Sequence, residues 1–369
     1  MAQSDRAYLY VLRKLAAREW PPGERTPSLR QLAKGLRMST KPLYQAFQSA
    51  GRQGLLSVGQ RFRTVVLPEA DRKARELLLQ LADHDGARRL AVLIPADFFP
   101  LSGAPLHAEL GQAVCQAAGR QDFQAEIVPI PHEGQAEFAQ DIASRFDAGV
   151  VIGPRPEKFT ALFALRSLSM PLLVFNRQVA GLDATSVYLD NYGAAARLAR
   201  MLVQLGHRNL CLITSTEDEF TSGWQHTLSG GWIDALRQAG VIDACTLPVI
   251  YHPRGMFYDM MDRILALRPR ITALVLGYPA MVERLAAEPR FHDVQVPGRI
   301  SVATLNTTRN VPRPPGWPPV TSFEMNMKRV GEVIVAHVQT MLVGVAPPPN
   351  VRLPLDIVVT DSIGHPPAD

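Results

Sequence analysis

The stretch PGERTPSLRQLAKGLRMSTKPLYQAFQSAGRQG, Pro22 to Gly54, decides how the first part of this chain folds. It reads as two short helices joined by a tight turn. Ser28 follows a proline and is placed to cap a helix whose Leu29, Leu32, Ala33 and Leu36 share one face. Arg37-Met38 makes the turn. Ser39 then caps the next helix, with Leu43, Ala46, Phe47 and Ala50 as its buried stripe. Pro42 falls in the first turn, where a missing N–H costs little, and Gly54 stops the helix. Upstream, Asp5 caps a helix through about Glu19, with Tyr8, Val11, Leu12 and Leu15 inward, and Pro21-Pro22-Gly23 ends it. Downstream, Leu55–Val58 and Phe62–Val66 read as two strands around Gly59-Gln60, which makes a wing.

Charge sets this head apart. Residues 1–67 hold twelve Lys and Arg against Asp5, Glu19 and Glu24, a net of +9, whereas the 369-residue chain totals +5, leaving −4 for the remainder. A basic head on a mildly acidic body implies a polyanion at one end. A capped helix of this size enters a DNA major groove and presents its first turn to base edges. On this reading Ser39, Thr40, Lys41 and Tyr44 face the groove. Arg30 reaches a phosphate or a guanine edge, and Arg61 and Arg63 on the wing meet phosphates or the minor groove.

The pattern Pro22-Gly23-Glu24-Arg25-x-Pro27-Ser28-x-Arg30-x-Leu32-Ala33, then Met38-Ser39, Ala46 and Gly54-Leu55, resembles the winged helix-turn-helix of the GntR family of bacterial transcription regulators. It covers nearly all of residues 8–66. The family's recognition helix usually opens Ser-Arg-x-Thr-Val/Leu-Arg; here Ser39-Thr40-Lys41-Pro42-Leu43-Tyr44 stands there. Thr40 and Tyr44 therefore replace two habitual DNA-contacting arginines. The usual Gly-x-Gly-Thr of the wing is Gly59-Gln60-Arg61-Phe62-Arg63-Thr64. The resemblance carries Arg30 over as a DNA contact and implies an operator unlike the family's common one.

Residues 68–88 read as a polar linker containing a helix from Glu69 to Asp83. From Arg89 the chain alternates short apolar runs with helical ones. Strands are expected at Leu90–Ile94, Ala125–Val128, Gly149–Ile152, Leu172–Phe175, Ser186–Leu189, Leu210–Ile213, Leu247–Tyr251, Ala273–Leu276, Ser301–Thr304 and Val320–Phe323. Such alternation means an α/β fold of parallel sheets covered by helices, here in two serial subdomains. Ligands then sit at the carboxyl ends of strands, in the crevice between halves.

Several body stretches resemble the periplasmic-binding-protein-like effector domain of the LacI/GalR family. They include Leu90-Ala91-Val92-Leu93-Ile94-Pro95, Val187-Tyr188-Leu189-Asp190-Asn191 running on to Leu205-Gly206-His207-Arg208, and Val296-Pro297-Gly298-x-Ile300-Ser301-Val302. Together with the head, the chain is similar to regulators of the arabinose-repressor type. The cleft departs from that pattern. Leu228 stands where sugar-binding members place an Arg, and Tyr278-Pro279 where they place Asn-Asp. Without those groups a cleft loses several charge-assisted hydrogen bonds. Candidate ligand-binding residues are Phe98, Phe99, Asn176, Arg177, Trp224, Tyr278 and Asn306. The ligand is either not a typical sugar, or none is needed.

No catalytic set stands out. The nine histidines are scattered, no two at metal-ligand spacing on one helix, and there is no P-loop, no Gly-x-Gly-x-x-Gly and no nucleophile elbow. No metal and no cofactor is expected. Cys115, Cys211 and Cys245 have no paired spacing, which suits a reducing compartment, and no run approaches the ~20 apolar residues of a membrane helix. The expectation is a cytoplasmic, homodimeric DNA-binding transcription regulator, not an enzyme. Its domains are a head at 1–67, a linker at 68–88 and a two-lobed effector-binding and dimerisation body at 89–369. A small ligand in the interlobe cleft would modulate its grip on a duplex operator. The rival is the same regulator with a ligand-silent body that only dimerises; an enzyme on the α/β body ranks below both.

Overall fold

Apolar stripes close the head into a small core. In the computed structural model, which describes residues 3–36, 38–58, 64–84, 88–215, 227–252, 256–305, 311–343 and 350–367, the chain divides into two units. Met1–Tyr188 with Met327–Val351 form one, and Leu189–Asn326 with Arg352–Asp369 the other. The first unit opens with helices α1 (Gln3–Ala16), α2 (Leu29–Leu36) and α3 (Thr40–Arg52), followed by an antiparallel pair, β1 (Leu56–Val58) and β2 (Thr64–Val66). Val11, Leu12, Leu15, Leu43, Ala46, Phe47 and Ala50 are all buried together. Trp20 wedges between Tyr10 and Phe47, 6.0 Å from each ring.

Local signals set the helix ends, with three differences from expectation, the first being that Asp5 lies within the first turn of α1 rather than capping it. Ser28 and Gln31 form a reciprocal cap: Gln31 N–H donates to Ser28 Oγ at 3.3 Å and Ser28 N–H to Gln31 Oε1 at 2.9 Å. Ser39 is the N-cap residue of α3 but makes no capping bond. The donor three residues on is Pro42, which has no N–H, so the hydroxyl stays available. Helix α1 stops at Ala16, short of Glu19, because Arg18 turns left-handed at φ 56. The Glu19 N–H then bonds Lys14 O at 3.0 Å, closing the last turn.

The linker helix expected at Glu69–Asp83 is α4 (Ala70–His84), and it packs on α1. Ala70, Ala74 and Leu78 recur at four-residue spacing and enter the same core as the head. Buried Asp71 accepts from Arg18 Nε at 2.8 Å, and Arg75 donates to Ala16 O at 3.0 Å. Burial raises the Asp71 pKa, but the Arg18 bond outweighs it and holds the carboxyl below its ordinary value.

A six-stranded sheet completes the first unit; with β13 (Asn350–Leu353) at one edge, its order is β13-β7-β6-β5-β3-β4. Strands β3 (Arg88–Pro95), β4 (Phe123–Ile130), β5 (Ala148–Ile152), β6 (Leu172–Phe175) and β7 (Thr185–Leu189) run parallel. Helices α5 (Pro105–Gly119), α6 (Gln135–Arg145) and α7 (Phe159–Ser167) connect them, so both faces are covered and the strands are nearly all apolar.

The second sheet, in order β14-β12-β11-β10-β8-β9, forms the core of the other unit. It contains β8 (Leu210–Ser215), β9 (Val249–His252), β10 (Ala273–Leu276), β11 (Ser301–Thr304), β12 (Thr321–Glu324) and β14 (Asp356–Val358). Its helices are α8 (Asn191–Gln204), α9 (Leu228–Gln238), α10 (Phe257–Ala266) and α11 (Pro279–Ala287). Strand β14 runs antiparallel to β12 at the edge of an otherwise parallel sheet.

The two subdomains are not serial as expected. After β12 the chain returns to the first unit, where α12 (Met327–Leu342) packs on α5 and β13 (Asn350–Leu353) joins the first sheet. Gly331 permits that packing: a Cβ there would lie 2.5 Å from the Ala113 carbonyl oxygen. Backbone cannot step aside as a side-chain tip can. Gly331→Ala should therefore destabilise the chain by about 1–3 kcal/mol in denaturant titration, despite alanine's better helix propensity.

Candidate functional site

On the head, every residue expected to meet DNA that lies among the described residues is exposed. Arg30 on α2 and Ser39, Thr40, Lys41 and Tyr44 at the start of α3 are all exposed, while Pro42, Leu43, Ala46 and Phe47 are buried. Tyr44 keeps 52% of its surface in water, unusual for a large aromatic. Gln45 is exposed beside it, one turn after Lys41, though nothing in its residue type marks it in the sequence. Arg61 and Arg63 lie outside the described residues.

The carboxyl ends of the first sheet gather a second group. Phe98 and Phe99 follow β3, Arg155 follows β5, and Asn176 and Arg177 follow β6. Phe98 stacks on His107 with ring centroids 3.7 Å apart, and the Arg155 guanidinium lies 4.8 Å over the Phe98 ring. Gly153, at φ 61, makes room, since a Cβ there would sit 2.7 Å from His107 Nε2. Arg177 donates to Pro154 O at 3.2 Å, which ties the β6 turn to the β5 turn. Exposed Asn176 sits at φ 58 with its N–H on Val187 O at 2.7 Å. Behind this surface, buried Lys158 reaches Asp97 at 3.3 Å, Pro131 O at 3.4 Å and His132 Nδ1 at 2.9 Å. Burial pushes the Asp97 carboxyl up, but its own backbone N–H, Lys158 and His132 together hold it below its ordinary value. Asp97, His107, His132, Arg155 and Lys158 carry no motif; only folding brings them to one sheet end.

In the second unit Tyr278 lies two residues after β10 at the N-cap position of α11, half-buried against the apolar core, with Pro279 as the first helical residue. Leu228 is buried at the start of α9. Trp224 and Asn306 lie outside the described residues. Among the described residues no three His, Cys, Asp or Glu could hold a metal ion, and no helix is long and apolar enough to cross a membrane.

Two histidines titrate against the fold. Burial, and then Arg155, lowers the His107 pKa below its ordinary 6.5. Burial likewise lowers that of His207, which bonds Thr272 Oγ1 and Gly364 O at 2.9 Å each, although the Gly364 bond acts the other way. A depressed histidine favours the neutral ring in the native state. The stability it supports is present above about 6.5 and is lost as pH falls below that towards the folded pKa. Thermal midpoints should therefore drop on acidification below about pH 6.5. His207→Gln should flatten that drop; an unchanged slope would assign the loss to other groups.

This is the fold of a periplasmic-binding-protein-like domain, as found in LacI-family regulators, with a small helical head. Residues 199–363 match the family model of a periplasmic binding protein-like domain. The chain is similar to the HTH-type transcriptional repressor PurR of Erwinia tasmaniensis, 28% identical over 238 residues, covering 63% of this chain and 68% of the repressor. Among solved structures, the regulator CelR in complex with cellobiose superposes with a TM-score of 0.58 at 18% identity, over 91% of this chain and all of CelR. The lac repressor dimer bound to operator and an anti-inducer gives 0.59 at 15% identity, over 78% of this chain and 98% of the repressor. At those identities the structures show a shared fold. These relatives and neighbours are transcription regulators, not enzymes.

Proposed function

We propose that this chain is a bacterial transcription regulator whose head grips duplex DNA and whose lobes receive a small effector at the carboxyl ends of their strands. The observation that carries this reading is the exposed face of Arg30, Ser39, Thr40, Lys41 and Tyr44 on a +9 head, in one chain with a regulator-type α/β fold. The head is a GntR-type winged helix. Three helices and an antiparallel pair support that type, while the family match lies wholly within 199–363. The domains are the head at 1–67, the connecting helix within 68–88, and the two-lobed body at 89–369. By analogy with the lac repressor dimer it acts as a homodimer, since one head covers only a half-site. The compartment is the cytoplasm, and the repressor relative favours repression.

The effector wall is Phe98, Phe99, Asn176 and Arg177, joined by Arg155 and His107. Stacked rings under a guanidinium suit a ligand with a flat or ring-shaped face and hydroxyls. A second reading, a body that dimerises without ligand, draws on Leu228 and on Tyr278-Pro279 at positions where sugar-binding members hold polar groups. A thermal-shift screen of sugars, polyols, nucleosides and amino acids separates the two. A ligand at 100 times its Kd adds about 2.7 kcal/mol, whereas a ligand-silent body gives no hit.

The DNA reading is tested by selecting an operator from random duplexes with the full chain and then measuring variants. Arg30→Ala should relax sequence choice by about 1–3 kcal/mol if Arg30 meets a base edge. Lys41→Ala should weaken all sequences alike. Wild-type affinity in both variants would remove this face from the DNA.

A further inference from the structure

Within the first unit, α1 meets the lobe across a cavity of about 380 Å³. Asp5, Arg6, Tyr10 and Arg13 line it from α1, and Arg89, Arg145, Asp147 and Ser169 from the lobe, so four guanidinium groups face two carboxylates. Arg6 and Arg13 are two helical turns apart and so point the same way. Tyr10 reaches across to Ser169. On the lobe side, Asp147 Oδ2 accepts the Arg89 backbone N–H at 2.9 Å while its charge also acts on Arg13, and Arg145, at the rim, is held by Asp141 at 3.0 Å and Glu126 at 3.1 Å.

Arg13 is the exception. Its Nε is out of water and has no hydrogen-bond partner. Burial pushes its guanidinium pKa down, with Asp147 acting the other way, and burial does the same to Arg6. A buried charged donor without an acceptor carries its full desolvation penalty, and native structures seldom leave one so. What is missing is an acceptor-rich group. The space is ample for a small metabolite, the unmet donor is the Arg13 Nε–H, and guanidinium groups match paired anionic oxygens.

We propose that this junction is a binding site for a small dianion, either a phosphate ester or a dicarboxylate, held between Arg6 and Arg13 of the head and the facing lobe. It is separate from the strand-end group around Phe98. Because α1 packs on α3, an ion bridging α1 to the lobe also sets how firmly the head is held. That consequence for DNA rests on the proposed function; the binding itself does not.

Calorimetry on the full chain tests it, with inorganic phosphate, ribose 5-phosphate and succinate as probes and chloride balancing ionic strength. At least one probe should bind saturably, and whether it is a phosphate or the dicarboxylate names the class. Arg13→Gln and Arg6→Gln should each weaken that probe tenfold or more, while Arg263→Ala, an exposed charge in the other unit, should not. Circular dichroism checks folding, and Arg6→Gln carries the test if Arg13→Gln does not fold. No saturable binding of any probe, or wild-type affinity in a folded Arg6→Gln or Arg13→Gln, overturns the proposal. Operator binding is measured separately, so a loss of either reading leaves the other standing.

Discussion

Raising salt from about 50 to about 200 mM should weaken operator binding at least 250-fold, close to 3 kcal/mol, a log–log slope of −4 or steeper. The head carries +9 over 67 residues, and Arg30 and Lys41 are exposed on the face that α3 presents. Each phosphate neutralised releases condensed counterions and contributes about −0.9 to the slope. Two heads making a few such contacts each reach −4 without any base contact. Lys41→Ala should make the slope shallower by about one for each subunit, since it removes one phosphate contact per head. Arg30→Ala should leave the slope nearly unchanged if Arg30 reads a base edge. A flat salt response in the wild-type chain would sink the electrostatic account of the head.

Trp232→Ala should destabilise the second unit by about 3–5 kcal/mol, among the largest effects of any single substitution here. Trp232 is wholly buried on α9, and its Nε1–H donates to Pro248 O at 2.8 Å, immediately before β9. Truncation leaves a cavity too large to collapse and removes one of the two hydrogen bonds to the Pro248 carbonyl, which keeps only the Leu212 N–H at 3.1 Å. The neighbouring Gly231 cannot shift to fill it, because a Cβ there would already lie 2.0 Å from the Tyr192 carbonyl oxygen. Trp232→Phe keeps most of the volume and loses the hydrogen bond, so it should cost far less, on the order of 1–2 kcal/mol. Denaturant titration followed by near-ultraviolet circular dichroism reads both. Equal losses in the two variants would mean that the hydrogen bond, not the volume, carries the effect.

Much of the fold was legible because its signals are local. The stripe of Leu43, Ala46, Phe47 and Ala50, the Ser28–Gln31 cap and the apolar runs from Leu90 to Phe323 each state their element within a few residues. Strands β13 and β14 were missed because they are four and three residues long and half-polar. The return of α12 to the first unit leaves no local trace either, since it depends on Gly331 fitting against Ala113, residues far apart in the chain.

The sequence by itself determined the basic head, its helix stripes and the alternation that demands parallel sheets, since charge and periodicity are properties of neighbouring residues. Only the tertiary structure decided that α4 belongs to the head core, that Arg155 lies over the Phe98 ring where it stacks on His107, and that the Nε of half-buried Arg13 is out of water without an acceptor. Those facts are set by residues distant in sequence meeting in space. Burial, which gives a lone guanidinium its meaning, exists only once they have met.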